Sequence, residues 1–267
     1  MNYELAQLVS IACHGNAYLA AKAGAQPPEI LREVPVFEDI THLKFIERKG
    51  TGDKAGEKLI SDDTAGWYRY LKEHKCRRIR IVPISWKDER PDLPVRVAVA
   101  FAGSGSWAIL SEGTKANIVW RQVFSESGRG EALTIIGTPI EGQLPESSSD
   151  LGAAEENLRK ALTEILEFTQ KERLGKNWEA IFTNALYILD SEGESHVHIN
   201  ALLPEGAYSH RARRLMAAAS EAWVFGGMGS WNDIGGVAGY EKVSDGLYTA
   251  MIDAIITATN EPPSAGH

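Results

Sequence analysis

Arg78-Ile-Arg-Ile81, Trp107-Ala-Ile-Leu110, Ile118-Val-Trp-Arg-Gln-Val-Phe124 and Leu133-Thr-Ile-Ile136 follow one another, with Val95-Arg-Val-Ala-Val-Ala-Phe101 between the first two. Gly103-Ser-Gly105, Glu112-Gly113-Thr114 and Ser127-Gly128-Arg129-Gly130 separate them. Apolar residues alternate with polar or small ones, and β-branched and aromatic side chains dominate, which is the pattern of strands rather than helices. The connections are too short for parallel crossovers, so the region from Arg77 to Gly137 predicts an antiparallel meander. Alternation places one face of that sheet on a core and leaves the other wetter, with helices covering a single face. The fold class expected is α+β, an antiparallel β-meander with covering helices, followed by an all-helical C-terminal half.

Upstream of the meander, Leu5, Leu8, Val9, Ala12 and Leu19 recur at helical spacing and predict an amphipathic helix over 3–22. Gly15 weakens its middle, and Gly24 with Pro27-Pro28 ends it. Leu43-Lys-Phe-Ile-Glu-Arg48 reads as a strand and Gly50–Gly56 as a polar loop. Ser61-Asp62-Asp63 offers an N-cap for a short helix holding Trp67, Tyr70 and Leu71.

Downstream, the period changes. Thr138–Asp150, with two prolines and Ser147-Ser148-Ser149, reads as a boundary, and from Leu151 the apolar positions recur every 3.6 residues. Leu151, Ala154, Leu158, Ala161, Leu162, Ile165 and Leu166 form one stripe. Helices are expected after Gly175, over about Tyr208–Phe225, and from Ser244 onward. The organisation expected is an α+β domain over 1–137, a linker over 138–150, a helical domain over 151–260 and a flexible tail over 261–267.

At 267 residues with 24% charged and 43% hydrophobic side chains the composition is that of a globular protein. No apolar run reaches the roughly 18–20 residues of a membrane span, so no membrane association is expected. Met1-Asn-Tyr-Glu-Leu5 lacks the basic start of a signal peptide, which makes a cytoplasmic location the expectation. Charge is uneven: 1–145 holds 19 Lys and Arg against 18 Asp and Glu, whereas 146–267 holds 9 against 18. An acidic half disfavours nucleic acid and favours a basic protein partner.

Trp223-Val-Phe-Gly-Gly-Met-Gly-Ser-Trp-Asn-Asp-Ile-Gly-Gly236 closes the helix expected over Tyr208–Phe225 and carries five of the 25 glycines and two of the seven tryptophans. It reads as a helix C-terminus with a packed loop, from which Trp223, Met228, Ser230, Trp231, Asn232 and Asp233 are candidate contact residues. The dense basic run His210-Arg211-Ala-Arg213-Arg214 adds Arg211 and Arg214. Arginines in the first turns of a helix oppose its dipole, so they need an acid, from this chain or from a partner.

Catalytic patterns are sparse. There is no Gly-x-Ser-x-Gly elbow, and the glycine run at 226–229 lacks the lysine of a phosphate-binding loop. Cys13 and Cys76, two and far apart, indicate neither a disulfide framework nor a thiolate zinc site. His196-Val-His198-Ile-Asn200 would, on a strand, point two imidazoles the same way, as a metal site requires. The run resembles the His-apolar-His-apolar-His motif of the histidine-triad nucleotide hydrolases, with Asn200 at the place of the third histidine. That resemblance implies His198 as nucleophile.

The expectation is therefore a non-enzymatic protein-binding module without a cofactor, an immunity-type inhibitor of a basic toxin or effector. The analogy is to the logic of bacterial immunity proteins, not to a sequence. The alternative is a small metal-dependent hydrolase using His196 and His198.

Overall fold

The computed structural model describes residues 1–49, 56–83, 107–113, 116–127, 130–140, 150–191, 201–226 and 229–264. In chain order these form α1 (Tyr3–Ala20), β1 (Ile40–Lys49), β2 (Gly56–Ser61), α2 (Thr64–Glu73), β3 (Cys76–Pro83), β4 (Trp107–Gly113), β5 (Asn117–Ser127) and β6 (Gly130–Ile140), followed by α3 (Leu151–Glu172), α4 (Lys176–Asp190), α5 (His210–Glu221) and α6 (Tyr240–Thr259). The strands lie in the N-terminal half, and after β6 the regular elements are helical: the α+β class. Val95–Phe101, read as a strand, lies outside the described residues.

Among the described residues the sheet has six strands in the order β2-β1-β6-β5-β4-β3. From β3 to β6 neighbouring strands pair antiparallel in chain order, β4, β5 and β6 through the short turns expected and β3 with β4 across residues 84–106, which lie outside the described residues. The difference from expectation is at the other end: β1 pairs with β6 in parallel, so the sheet is mixed. The β1–β2 hairpin occupies one edge, and α2 touches both β2 and β3 as it carries the chain to the opposite edge. Local alternation in β1 cannot report a neighbour that lies some ninety residues away in sequence.

The inner sheet face is an aromatic layer. Trp67 of α2 stacks on Phe45 of β1 at 4.6 Å and meets Trp120 of β5 edge-on at 5.3 Å. The Trp120 indole N–H donates to Ser111 Oγ at 2.8 Å, satisfying its one buried donor. Gly137 stands opposite Trp120 in register, and a Cβ there would fall 2.5 Å from Trp120 Cε3. A ring of that size fits because its cross-strand neighbour has no side chain.

The predicted amphipathic helix α1 is instead buried on nearly all sides, Gln7, Ser10 and Asn16 included. It lies between β3 and β4 on one flank and α2 and α6 on others. Gly15, rather than simply weakening the helix, is where Ile79 and Tyr68 approach its backbone. The buried amide of Asn16 bonds both backbone groups of Ile79, Nδ2 to the carbonyl at 2.7 Å and Oδ1 from the N–H at 2.8 Å. The expected cap of α2 is Asp63, whose carboxylate accepts from the Gly66 N–H.

In the C-terminal half α3, α4, α5 and α6 pack on one another, and α6 also reaches β3 and α1. Buried residues from α1, the sheet and all four late helices belong to one contiguous apolar cluster. α3 ends at Arg173 in a left-handed conformation, two residues before Gly175. α6 starts at Tyr240, four residues earlier than its apolar stripe indicates, after the left-handed Gly239. Of the expected tail, Glu261 bonds Ser209 at the start of α5 through both carboxylate oxygens, and the Ser264 N–H donates to the Ala207 carbonyl.

Candidate binding surface

The glycine-rich turn after α5 folds onto the core. Trp231 is wholly buried among Trp178, Phe182 and Tyr240, with ring centroids 5.4–5.8 Å away. Its indole N–H donates to Ser244 Oγ at 2.8 Å. Trp223 is half-buried against Tyr248, and its N–H donates to the Phe225 carbonyl at 2.8 Å. Both tryptophans therefore hold the turn to the helices.

The polar candidates of the same turn build it. Ser230 Oγ donates to the Gly226 carbonyl at 2.9 Å and accepts from the Asn232 N–H. Asn232 Nδ2 donates to the same carbonyl at 3.1 Å, and the Asp233 carboxylate accepts from the N–H of Gly229, whose φ is +84°. Side chains of this kind close turns by bonding nearby backbone. Met228 lies outside the described residues.

The basic run at the start of α5 finds its acid within the chain. Arg211 Nε donates to Glu155 Oε2 at 2.7 Å, Arg214 Nη2 lies 3.3 Å from both Glu155 oxygens, and Arg159 approaches at 3.5 Å. Burial alone would raise the Glu155 carboxyl, but the Arg211 hydrogen bond and the charges of Arg214 and Arg211 hold its pKa below the ordinary value. Arg213 instead caps the carbonyls of Leu203 and Pro204. Arg211 and Arg214, both candidate contacts, are thus already engaged with Glu155 of α3.

His196, His198 and Asn200 lie outside the described residues. Among the described residues no three of His, Cys, Asp and Glu are grouped as a metal site needs. Burial pushes the Cys13 thiol up to about 12 and the Cys76 thiol up to about 11, so both are thiols at neutral pH. Among the described residues no helix is long and apolar enough to cross a membrane.

Among the described residues the second face of the sheet is left uncovered. On the second face of the sheet, away from α1 and α2, β1, β5 and β6 enclose a groove of about 360 Å³. Arg48, Arg121 and Thr138 line it with Val119, Val123 and Ile136. The register arranges these side chains in rows: Leu59, Ile46, Ile136 and Arg121 in one, and Val119 opposite Thr138 in the next. Leu59 and Val123, 56% and 46% exposed, are two of only four large apolar side chains that the described surface leaves in water. Arg48 gives both Nε and Nη2 to a single oxygen of Glu57. Arg121 has no hydrogen-bond or ion-pair partner among the described residues. Toward β4 the strip meets a smaller buried cluster of Val82, Ala108 and Leu110.

Arg121 and Val123 are absent from the candidates read in sequence. A signal was nevertheless present in Ile118–Phe124. Once Trp120 and Gln122 turn inward, Val119, Arg121 and Val123 share the outer face, and two β-branched residues there are more than a wetted face needs.

No family model, no curated protein and no solved structure matches this chain.

Proposed function

We propose that this chain is a non-enzymatic protein-binding module. The observation that carries the reading is the contrast between its polar groups and its open sheet face. Among the described residues, the arginines of α5, the turn residues and the thiols that could serve chemistry are engaged or protonated, whereas the second sheet face keeps aliphatic side chains and a guanidinium without a described partner. An apolar surface rimmed by charge is the usual composition of a protein contact. Net charge adds the long-range part: −8 overall, with the excess in 146–267, steers a basic partner toward the molecule. An immunity-type inhibitor of a basic toxin or effector in the cytoplasm is the form of binding module that this field favours.

The test is recovery of a complex from the native host on the tagged full chain, with its mass measured by light scattering. One basic protein at matched amounts, released by salt, is the expected result. Stoichiometric zinc or manganese in the purified chain, lost in His198→Ala together with a hydrolytic activity, would reject the reading in favour of the hydrolase.

A further inference from the structure

We infer that the groove across β1, β6 and β5 seats an extended segment of the partner protein carrying one carboxylate flanked by aliphatic side chains. The inference rests on the binding-module reading and names what its open face accepts. Three features define the occupant.

Charge comes first. Arg121 is unpaired among the described residues, Arg48 is held by one oxygen of Glu57, and Lys44 is exposed on the same strand. Arg48 and Arg121 stand on strands two places apart and in adjacent rows, roughly 12 Å at the usual strand spacing and rise, which long arginine side chains can close onto one anion. Thr138, on the strand between them, offers a hydroxyl at the same place.

The aliphatic rows come second. Ile136, Val119 and Val123 surround the arginines, so a bare anion would leave apolar surface wet. In an extended segment the residues two places either side of the carboxylate point to the same face and reach these rows.

Shape comes third. The groove opens along the sheet, with exposed Val123 in its lining and exposed Leu59 at the β2 end of the Ile136 row, whereas a small-molecule site encloses most of its ligand. A second copy of the chain is disfavoured because face-to-face pairing sets Arg48, Arg121 and Lys44 against their own counterparts. A partner that is basic overall is compatible: the net field brings it near, and the local pair seats it.

A random dodecapeptide library displayed on phage, selected on the full chain, tests this, with enriched peptides synthesised, labelled and titrated by fluorescence anisotropy. Enriched peptides are expected to carry Asp or Glu between alternating Val, Ile or Leu. Arg121→Glu should weaken them about 30-fold, and Glu57→Gln, which frees Arg48, should strengthen them about 3-fold. Arg121 is exposed, so an unchanged melting temperature in Arg121→Glu separates lost contact from lost fold. Enrichment of basic peptides, no enrichment, or equal affinity in Arg121→Glu overturns the inference. A host partner that binds the wild-type chain and Arg121→Glu equally sinks the groove and leaves the binding-module reading standing; failure to recover any partner counts against that reading by itself.

Discussion

Asn260, the first residue after α6, lends its carboxamide to both backbone groups of Ile81: Oδ1 accepts from the N–H at 2.9 Å and Nδ2 donates to the carbonyl at 3.1 Å. Among the described residues β3 is the last strand on its side of the sheet, and Asn16 treats Ile79 in the same way. Among the described residues these two side-chain amides take the place of a neighbouring strand, satisfying backbone donors and acceptors on the side of β3 away from β4.

Asn260→Ala leaves the Ile81 N–H and carbonyl buried without these partners and should destabilise the chain by about 2–3 kcal/mol. Urea denaturation measures the loss, and hydrogen exchange should show the Ile81 amide losing protection. An unchanged midpoint would mean that the amide contacts contribute nothing net.

Glu155 neutralises the cations at the start of α5, and Glu155→Gln should cost about 2 kcal/mol by leaving Arg211 and Arg214 without their counter-charge. Its carboxyl pKa is lowered in the folded state, so the stabilisation is present above the ordinary carboxylate pKa and is lost as pH falls through the lowered one. Thermal melts should converge for wild type and variant in acid. A gap that persists there argues for packing instead of charge.

Glu4 has the opposite sign. Burial, with the Glu131 charge adding, pushes its carboxyl from 4.5 up to about 7. Its protonated form is favoured by folding, so that stability is present below 4.5 and lost as pH rises through about 7. Because Glu4 is partly exposed, the effect is only about 1 kcal/mol after solvent screening. Glu4→Gln should melt above wild type near pH 8 and level with it near pH 4; equal melting at both would remove the shift.

Gly137→Ala places a methyl group against the Trp120 indole, which cannot retreat because Trp67 packs on it. Overpacking of this kind costs about 1–3 kcal/mol. The tryptophan near-ultraviolet dichroism should change with it. A variant as stable as wild type would show that the β5–β6 pair adjusts.

Trp231→Ala removes the residue on which α4, the glycine turn and α6 converge and should cost about 3–5 kcal/mol. Calorimetry reads the loss. A small value would place the weight of that packing on Trp178 and Phe182.

Local chemistry was legible in the sequence. Alternation in Arg78–Ile81 and Ile118–Phe124 and the stripe from Leu151 to Leu166 set strand and helix because those periods follow from backbone geometry. Asp63 and Gly175 marked helix boundaries for reasons that lie within a few residues. Tertiary structure alone decided which elements meet: β1 beside β6, Glu155 among the arginines of α5, and Asn260 on Ile81. It also decided that Trp231 is core and that Arg121, among the described residues, stands without a partner on the second sheet face. Such pairings join positions far apart in the chain, and their energies depend on distances and burial that no local pattern encodes.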